Sequence, residues 1–240
     1  MTELLRWRER PRGARGVVLV LYGGRVASTA PARPWQLAAV RMNGFVRPVA
    51  RATAGGTVAV GLVRYRYRGW NGERADPARD VLAALDEVAA ELGPVPVVLL
   101  GHSMGGRAAL RAAGHPSVTG VVALAPWCPP EDPCEQLAGR RLVTLHGDRD
   151  KVTDPAETVR FDARARAAGA AVAGITVAGA DHGMLRRSRD WHLGAARLVA
   201  ALLGLRPMPG EVAAALALGA ESEAGLDLRL PVAGGAGRRS

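Results

Sequence analysis

A serine, a histidine and two aspartates stand where they could share one reaction. Ser103 lies in Gly101-His102-Ser103-Met104-Gly105-Gly106, between the apolar run 95–100 and an alanine-rich segment with the composition of a helix. A hydroxyl is a weak nucleophile and needs a base that is itself oriented by an acid. Two later apolar runs end on candidates: "LVTLHGDRD" carries Asp148 and Asp150, and "ITVAGADHGML" carries His182. The chain order serine, aspartate, histidine suits a nucleophile on a strand–turn–helix element. Gly101 and Gly105 flank a turn in which larger side chains would collide, which leaves the hydroxyl projecting from the top of a sheet. A helix starting behind Ser103 would place the Met104 amide beside an anion formed there.

Such residues have to be delivered by strand ends, and the periodicity supplies them. Runs at 17–22, 57–65, 95–100, 118–124, 142–145 and 172–177 read as buried strands. Segments 34–52, 103–113, 155–168 and 189–203 read as helices. Another helix follows Asp76-Pro77, an N-cap with proline at the first helical position, and carries Val81, Leu82, Leu85, Val88 and Leu92 on one face. The alternation predicts an α/β fold, a doubly wound and mostly parallel sheet with helices on both faces. "TELLRWRER" predicts an antiparallel edge strand, and 126–140 is too short for an inserted cap domain. The domain is expected over 1–204. Residues 205–240 read as a tail with one short helix near 210–219, otherwise flexible.

In this order and spacing, "LVLYGG", "RYRGWNG", "GHSMGG", "HGDRD" and "ADHGML" resemble the α/β-hydrolase superfamily over about residues 15–204. Among its members, the chain is similar to compact dienelactone-hydrolase-like and carboxylesterase-like enzymes. The resemblance implies Ser103 as nucleophile, His182 as general base and then acid, and Asp150 as the residue that holds His182. The family's acid commonly follows Gly-x-x-Asp, here Gly147 to Asp150, which leaves Asp148 to order its loop. It implies an oxyanion hole made by the Met104 amide and that of Gly24 or Arg25. The family usually shows His-Gly where this chain has Tyr22-Gly23. A backbone donor survives that change, while a role for the Tyr22 hydroxyl stays open. The implied activity is cleavage of a small or medium acyl ester, thioester or lactone, with no cofactor. Acyl transfer or peptide cleavage by the same residues is the alternative. A weakly catalytic relative acting as a binding or scaffold protein is the alternative of another class.

Other residues bear on substrate and partners. Arg64, Arg66 and Arg68 alternate with tyrosines at a strand end, so Arg68 is a candidate for binding a substrate anion. Trp127, Met184 and Leu185 are candidate apolar walls. His102 is expected to shape the elbow and His146 to be a hydrogen-bonded core residue; His115 and His192 read as helix-end and helix-surface residues. None pairs into a metal-ligand pattern, and no metal is expected. The Gly-Lys-Ser/Thr ending of a nucleotide loop and an early Gly-x-Gly-x-x-Gly are both absent.

The net charge is +10, yet Lys151 is the one lysine among 32 basic residues, and the arginines are scattered, with no single basic stripe interleaved with stacking aromatics. That pattern argues against nucleic acid and stays compatible with anionic substrates or surfaces. Cys128 and Cys134 are too few for zinc and read as free or structural thiols, with a small disulfide loop as the alternative. No apolar run is long enough to span a bilayer. The run 17–21 is too short for an export signal and is soon broken by Gly23-Gly24-Arg25. A cytoplasmic enzyme acting on a small acyl substrate is expected. Nothing in the sequence sets the oligomeric state.

Overall fold

A computed structural model describes residues 4–229. The strands are β1 (Leu5–Glu9), β2 (Gly16–Leu21), β3 (Val58–Val63), β4 (Val97–His102), β5 (Val118–Leu124), β6 (Arg141–Gly147), β7 (Ala171–Val177) and β8 (Leu228–Arg229). The helices are α1 (Leu37–Ala52), α2 (Asp76–Leu92), α3 (Met104–Ala112), α4 (Pro155–Ala167), α5 (Ser188–Leu202) and α6 (Gly210–Leu216). One eight-stranded sheet results, in the order β1-β3-β2-β4-β5-β6-β7-β8. All pairings are parallel except β1 with β3. The doubly wound α/β fold is as expected, antiparallel edge included.

Every residue of β2, β3 and β4 is buried. Strands apolar on both sides need cover on both faces, and the helices supply it. Helix α1 packs on α5, and α2 packs on α3, which in turn lies on β4 and β5. The central register pairs Leu21 of β2 with Gly101 of β4, and His102 of β4 with Leu124 of β5. Three strands therefore end level with one another, beside the Ser103 turn. The β5–β6 connection holds one short 3₁₀ turn, Glu135–Leu137, and no cap domain.

One local expectation fails. Asp76 is the first residue of α2 and not its cap; Ala75 takes the N-cap position with φ 44°. The Asp76 carboxylate is already held by Asn71 Nδ2 at 2.7 Å and by Arg74. The segment after 204, read as a tail with one short helix, packs against the domain over its described part. Helix α6 buries Val212 and Ala215, Leu226 is buried, and β8 extends the sheet beside β7. Arg166 adds to this anchoring: its Nη1 donates to the carbonyls of Ser222 and Ala224. A guanidinium buried on α4 thereby ties down backbone that offers no apolar periodicity of its own. The remainder of the expected tail, 230–240, lies outside the described residues.

Candidate active site

Ser103 joins β4 to α3 with φ 55° and ψ −121°, a conformation that an L-residue adopts only under constraint. The constraint is visible on both sides. The Ser103 amide donates to the Leu124 carbonyl at 3.0 Å, and its carbonyl accepts from the Arg107 and Trp127 amides. A Cβ on Gly105 would come within 2.6 Å of the Leu21 and Tyr22 carbonyls, so α3 can approach β2 this closely because position 105 has no side chain. The turn is therefore held by three strands and a helix at once.

The histidine and the second aspartate meet beside it. His182 Nδ1 lies 2.7 Å from Asp150 Oδ2, at the ends of β7 and β6. That leaves Nε2 of His182 free to act as the acceptor. His102, next to Ser103, brings this pair to the elbow: its Nε2 donates to the His182 carbonyl at 3.0 Å, and the two rings are 4.8 Å apart. Burial pushes the His102 imidazole down to about 3, and the charge of His182 works in the same direction. His102 is thus neutral, a donor and not a second base.

The Asp150 carboxylate accepts from His146, His182, the Val152 and Thr153 amides and the Thr153 hydroxyl. Its side chain is fully buried. Burial by itself would raise its pKa, but hydrogen bonds from His146, His182 and the Val152 and Thr153 amides outweigh that and hold the carboxyl well below the usual range. Asp148, two residues earlier, is exposed and accepts from the Gly179 amide at 2.6 Å. That bond ties the end of β6 to the loop after β7.

The loop after β2 closes the other side. A Cβ on Gly23 would lie 3.3 Å from Ser103 Cβ, and one on Gly24 would strike the Met104 side chain and the Arg68 carbonyl. The Arg25 amide donates to the Arg68 carbonyl at 2.9 Å and is not available to a ligand. Gly24 is therefore the better-placed of the two candidates. The Met104 amide opens α3, where amides have no helical acceptor.

Across residues 19–233 the chain matches the model of the alpha/beta hydrolase family. The chain belongs to that family. No curated protein matches it. Among solved structures, it is similar to a serine hydrolase without lid from Xanthomonas campestris, at 19% identity over 85% of this chain and 90% of that one, with a TM-score of 0.57. It is similar to the monoacylglycerol lipase of Paleococcus ferrophilus, at 16% identity over 85% of this chain and 100% of that one, TM-score 0.60. An esterase/lipase from an uncultured bacterium matches at 15% identity, over 83% and 81% of the two chains, TM-score 0.61. At such identities these likenesses are likenesses of fold.

The remaining expectations can be placed on this hydrolase. Strand β3 stops at Val63, so Arg64, Arg66 and Arg68 are not one alternating strand face. Arg66 pairs with the buried Asp80 at 2.6 Å. Arg64 and Arg66 border a cavity of ≈ 420 Å³ with Tyr22 and Tyr65, whereas Arg68 borders a cleft of ≈ 360 Å³ with Gly23, Gly24 and Trp35. The Tyr22 hydroxyl accepts from the Tyr65 amide at 3.1 Å, a bracing role. Trp127 is half-buried and its ring lies against the Arg107 guanidinium, which is stacked between it and Trp70 at 4.2 and 4.0 Å. Arg107 in turn forms two hydrogen bonds to Asp132. Met184 is buried, while Leu185 is exposed in a cleft with His182.

Two contributors escape a reading of the sequence. His146, recognisable there as a core histidine, donates from Nε2 to Asp150 at 3.1 Å while Nδ1 meets Thr158 Oγ1 at 2.8 Å. Thr153 Oγ1 lies 3.0 Å from Asp150 Oδ2 and 3.1 Å from His182 Nδ1. Cys128 and Cys134 are buried and free. Among the described residues, no group of three or more histidine, cysteine or acidic side chains could hold a metal ion, and no helix is long and apolar enough to cross a membrane.

Proposed function

We propose that this hydrolase cleaves an acyl ester through an acyl-serine intermediate, with Ser103, His182 and Asp150 as its catalytic residues. The observation that carries the reading is the His182 Nδ1–Asp150 hydrogen bond, which fixes the tautomer and leaves Nε2 as the basic nitrogen. Ser103 Oγ attacks the carbonyl carbon as its proton passes to His182 Nε2. The carbonyl oxygen becomes the oxyanion, held by the Gly24 and Met104 amides. The C–O bond then breaks, and the alcohol leaves with the proton from His182. Water repeats the sequence against the acyl-serine, freeing the acid and restoring Ser103.

The surroundings of the turn support the substrate class. The cleft beside Gly24 is open and carries Trp35, Leu37 and Arg68. That lining suits a small or medium acyl group, with Arg68 in this cleft and Trp127 in the separate cleft with Val26 as substrate-facing candidates. The buried free thiols of Cys128 and Cys134 fit a reducing compartment such as the cytoplasm.

A fluorophosphonate probe tests the chemistry directly. Labelling of the folded protein, abolished in Ser103→Ala and strongly reduced in His182→Ala, is the expected result. A folded wild type that does not react would leave the scaffold reading in its place.

A further inference from the structure

Ten large apolar side chains are exposed on the described part of the molecule, and their distribution is uneven. Six lie around the Ser103 end of the sheet: Val26, Trp35, Leu37, Val40, Val152 and Leu185. Their placement follows from the clefts they border. Val26 shares one with Trp127, Trp35 and Leu37 share one with Gly24, and Val152 and Leu185 share one with His182. Val40 is on the same side of α1 as Leu37, three residues on. Leu37 is 81% exposed, Val152 and Leu185 71%, Trp35 70%. Side chains that only walled an acyl pocket would be largely covered by it. Apolar groups exposed to this degree along neighbouring clefts at one end of the sheet mark a surface that meets something else.

The charges among them choose the partner. Residues 24–37 carry Arg25 and Arg33 and no acidic residue, and Arg33 lies over the Trp35 ring. On the opposite side are Arg149, Lys151 and Arg186, where Asp150 is buried against His182 and Asp181 faces Arg186 at 3.9 Å. A second copy of the chain would bring like charges together. A bilayer containing anionic lipid offers what both groups need: an apolar layer for tryptophan, leucine and valine, and phosphates for arginine and lysine.

We infer that the mouth of the site docks on the surface of anionic lipid bilayers, through the exposed apolar side chains of the 24–40, 149–152 and 182–186 segments and the cations beside them. No described helix crosses the bilayer in this arrangement. The docking does not require ester cleavage; that it presents acyl substrate to Ser103 rests on the function proposed above.

Cosedimentation with vesicles of phosphatidylcholine alone, or mixed with phosphatidylglycerol, tests the inference in wild type and in Ser103→Ala alike. Both proteins should bind the mixed vesicles and bind pure phosphatidylcholine far less. Leu37→Ser with Leu185→Ser should weaken partitioning by roughly tenfold or more. Arg33→Gln and Arg186→Gln should each weaken it by roughly fivefold, a loss that added salt reproduces. Leu193→Ser with Leu218→Ser, exposed leucines on α5 and after α6, is the control and should bind as wild type. No binding by the folded wild type, equal binding to neutral vesicles, or an equal loss in the control overturns the inference. So does a concentration-dependent dimer in light scattering that the Leu37 and Leu185 changes abolish. Failure of the fluorophosphonate test would leave the vesicle result standing, so the two claims can fail separately.

Discussion

At the scale of the residue, the two aspartates of "HGDRD" show what proximity in sequence conceals. Asp148 and Asp150 are two positions apart, yet one holds a loop amide and the other lies between two histidines. Asp150→Asn should leave the fold intact and lower kcat by about 10³–10⁴-fold, because an amide can present its N–H to His182 and favour the wrong tautomer. Asp148→Asn should keep activity within a few-fold of wild type. Steady-state kinetics on a short-chain ester distinguishes them; equal activities for wild type and Asp150→Asn would remove Asp150 from the site. Thr153→Val should fall between, at about tenfold, since it removes one of the donors to the Asp150 carboxylate and leaves the rest. The three catalytic candidates were legible because each follows an apolar run and the order is restrictive. Their supports were not. His146 and Thr153 act through contacts between the β6 end and the start of α4, and no spacing rule announces which atoms those turns bring together.

At the scale of the element, the elbow is held by what stands behind it as much as by its glycines. Helix α3 is fastened through Arg107, one turn after Ser103, which is layered between Trp70 and Trp127 and bonded to Asp132. Both charged side chains are 7% exposed. Removing one member strands the other's charge, so Asp132→Ala should cost about 3–5 kcal/mol in chemical denaturation. The double variant Arg107→Met with Asp132→Leu should cost clearly less than Asp132→Ala alone, the sign that an orphaned charge and not lost attraction dominates. Equal losses would show that packing against the two tryptophans is the larger effect. Gly105→Ala, whose Cβ would meet the carbonyls of Leu21 and Tyr22, should cost about 1–3 kcal/mol and displace Ser103 from its position. Strands and helices were legible to within a few residues because a sheet covered on both faces leaves continuous apolar runs. Strand β8 was not, since two residues carry no period, and the anchoring of 205–229 includes backbone contacts to a buried arginine on another helix.

At the scale of the whole molecule, two buried groups set opposing pH dependences of stability. Asp162 on α4 is fully buried, its Oδ2 bonded to Thr144 and its Oδ1 unpartnered. Burial, against the Thr144 hydrogen bond and the Arg166 charge, pushes its carboxyl up to about 8 from an ordinary 3.8. The native state therefore holds a proton that the unfolded chain has released, and stability declines as pH rises from about 4 to about 8. His102 works the other way. Its imidazole is held down at about 3 against an ordinary 6.5, so between those values the unfolded chain binds the extra proton and stability falls as pH is lowered. The two slopes offset each other between about 4 and 6.5, and Asp162 acts alone from there to about 8. Asp162→Asn replaces a protonated carboxyl with a neutral group of the same shape and removes that decline. Urea denaturation from pH 6.5 to 8 should show wild type losing stability at up to about 1.4 kcal/mol per pH unit, with the variant nearly flat. Above pH 8 the variant should be the more stable protein, although no contact visible in the wild type has been added. Parallel curves for the two proteins would mean that Asp162 is ionised in the fold and that Arg166 compensates its charge.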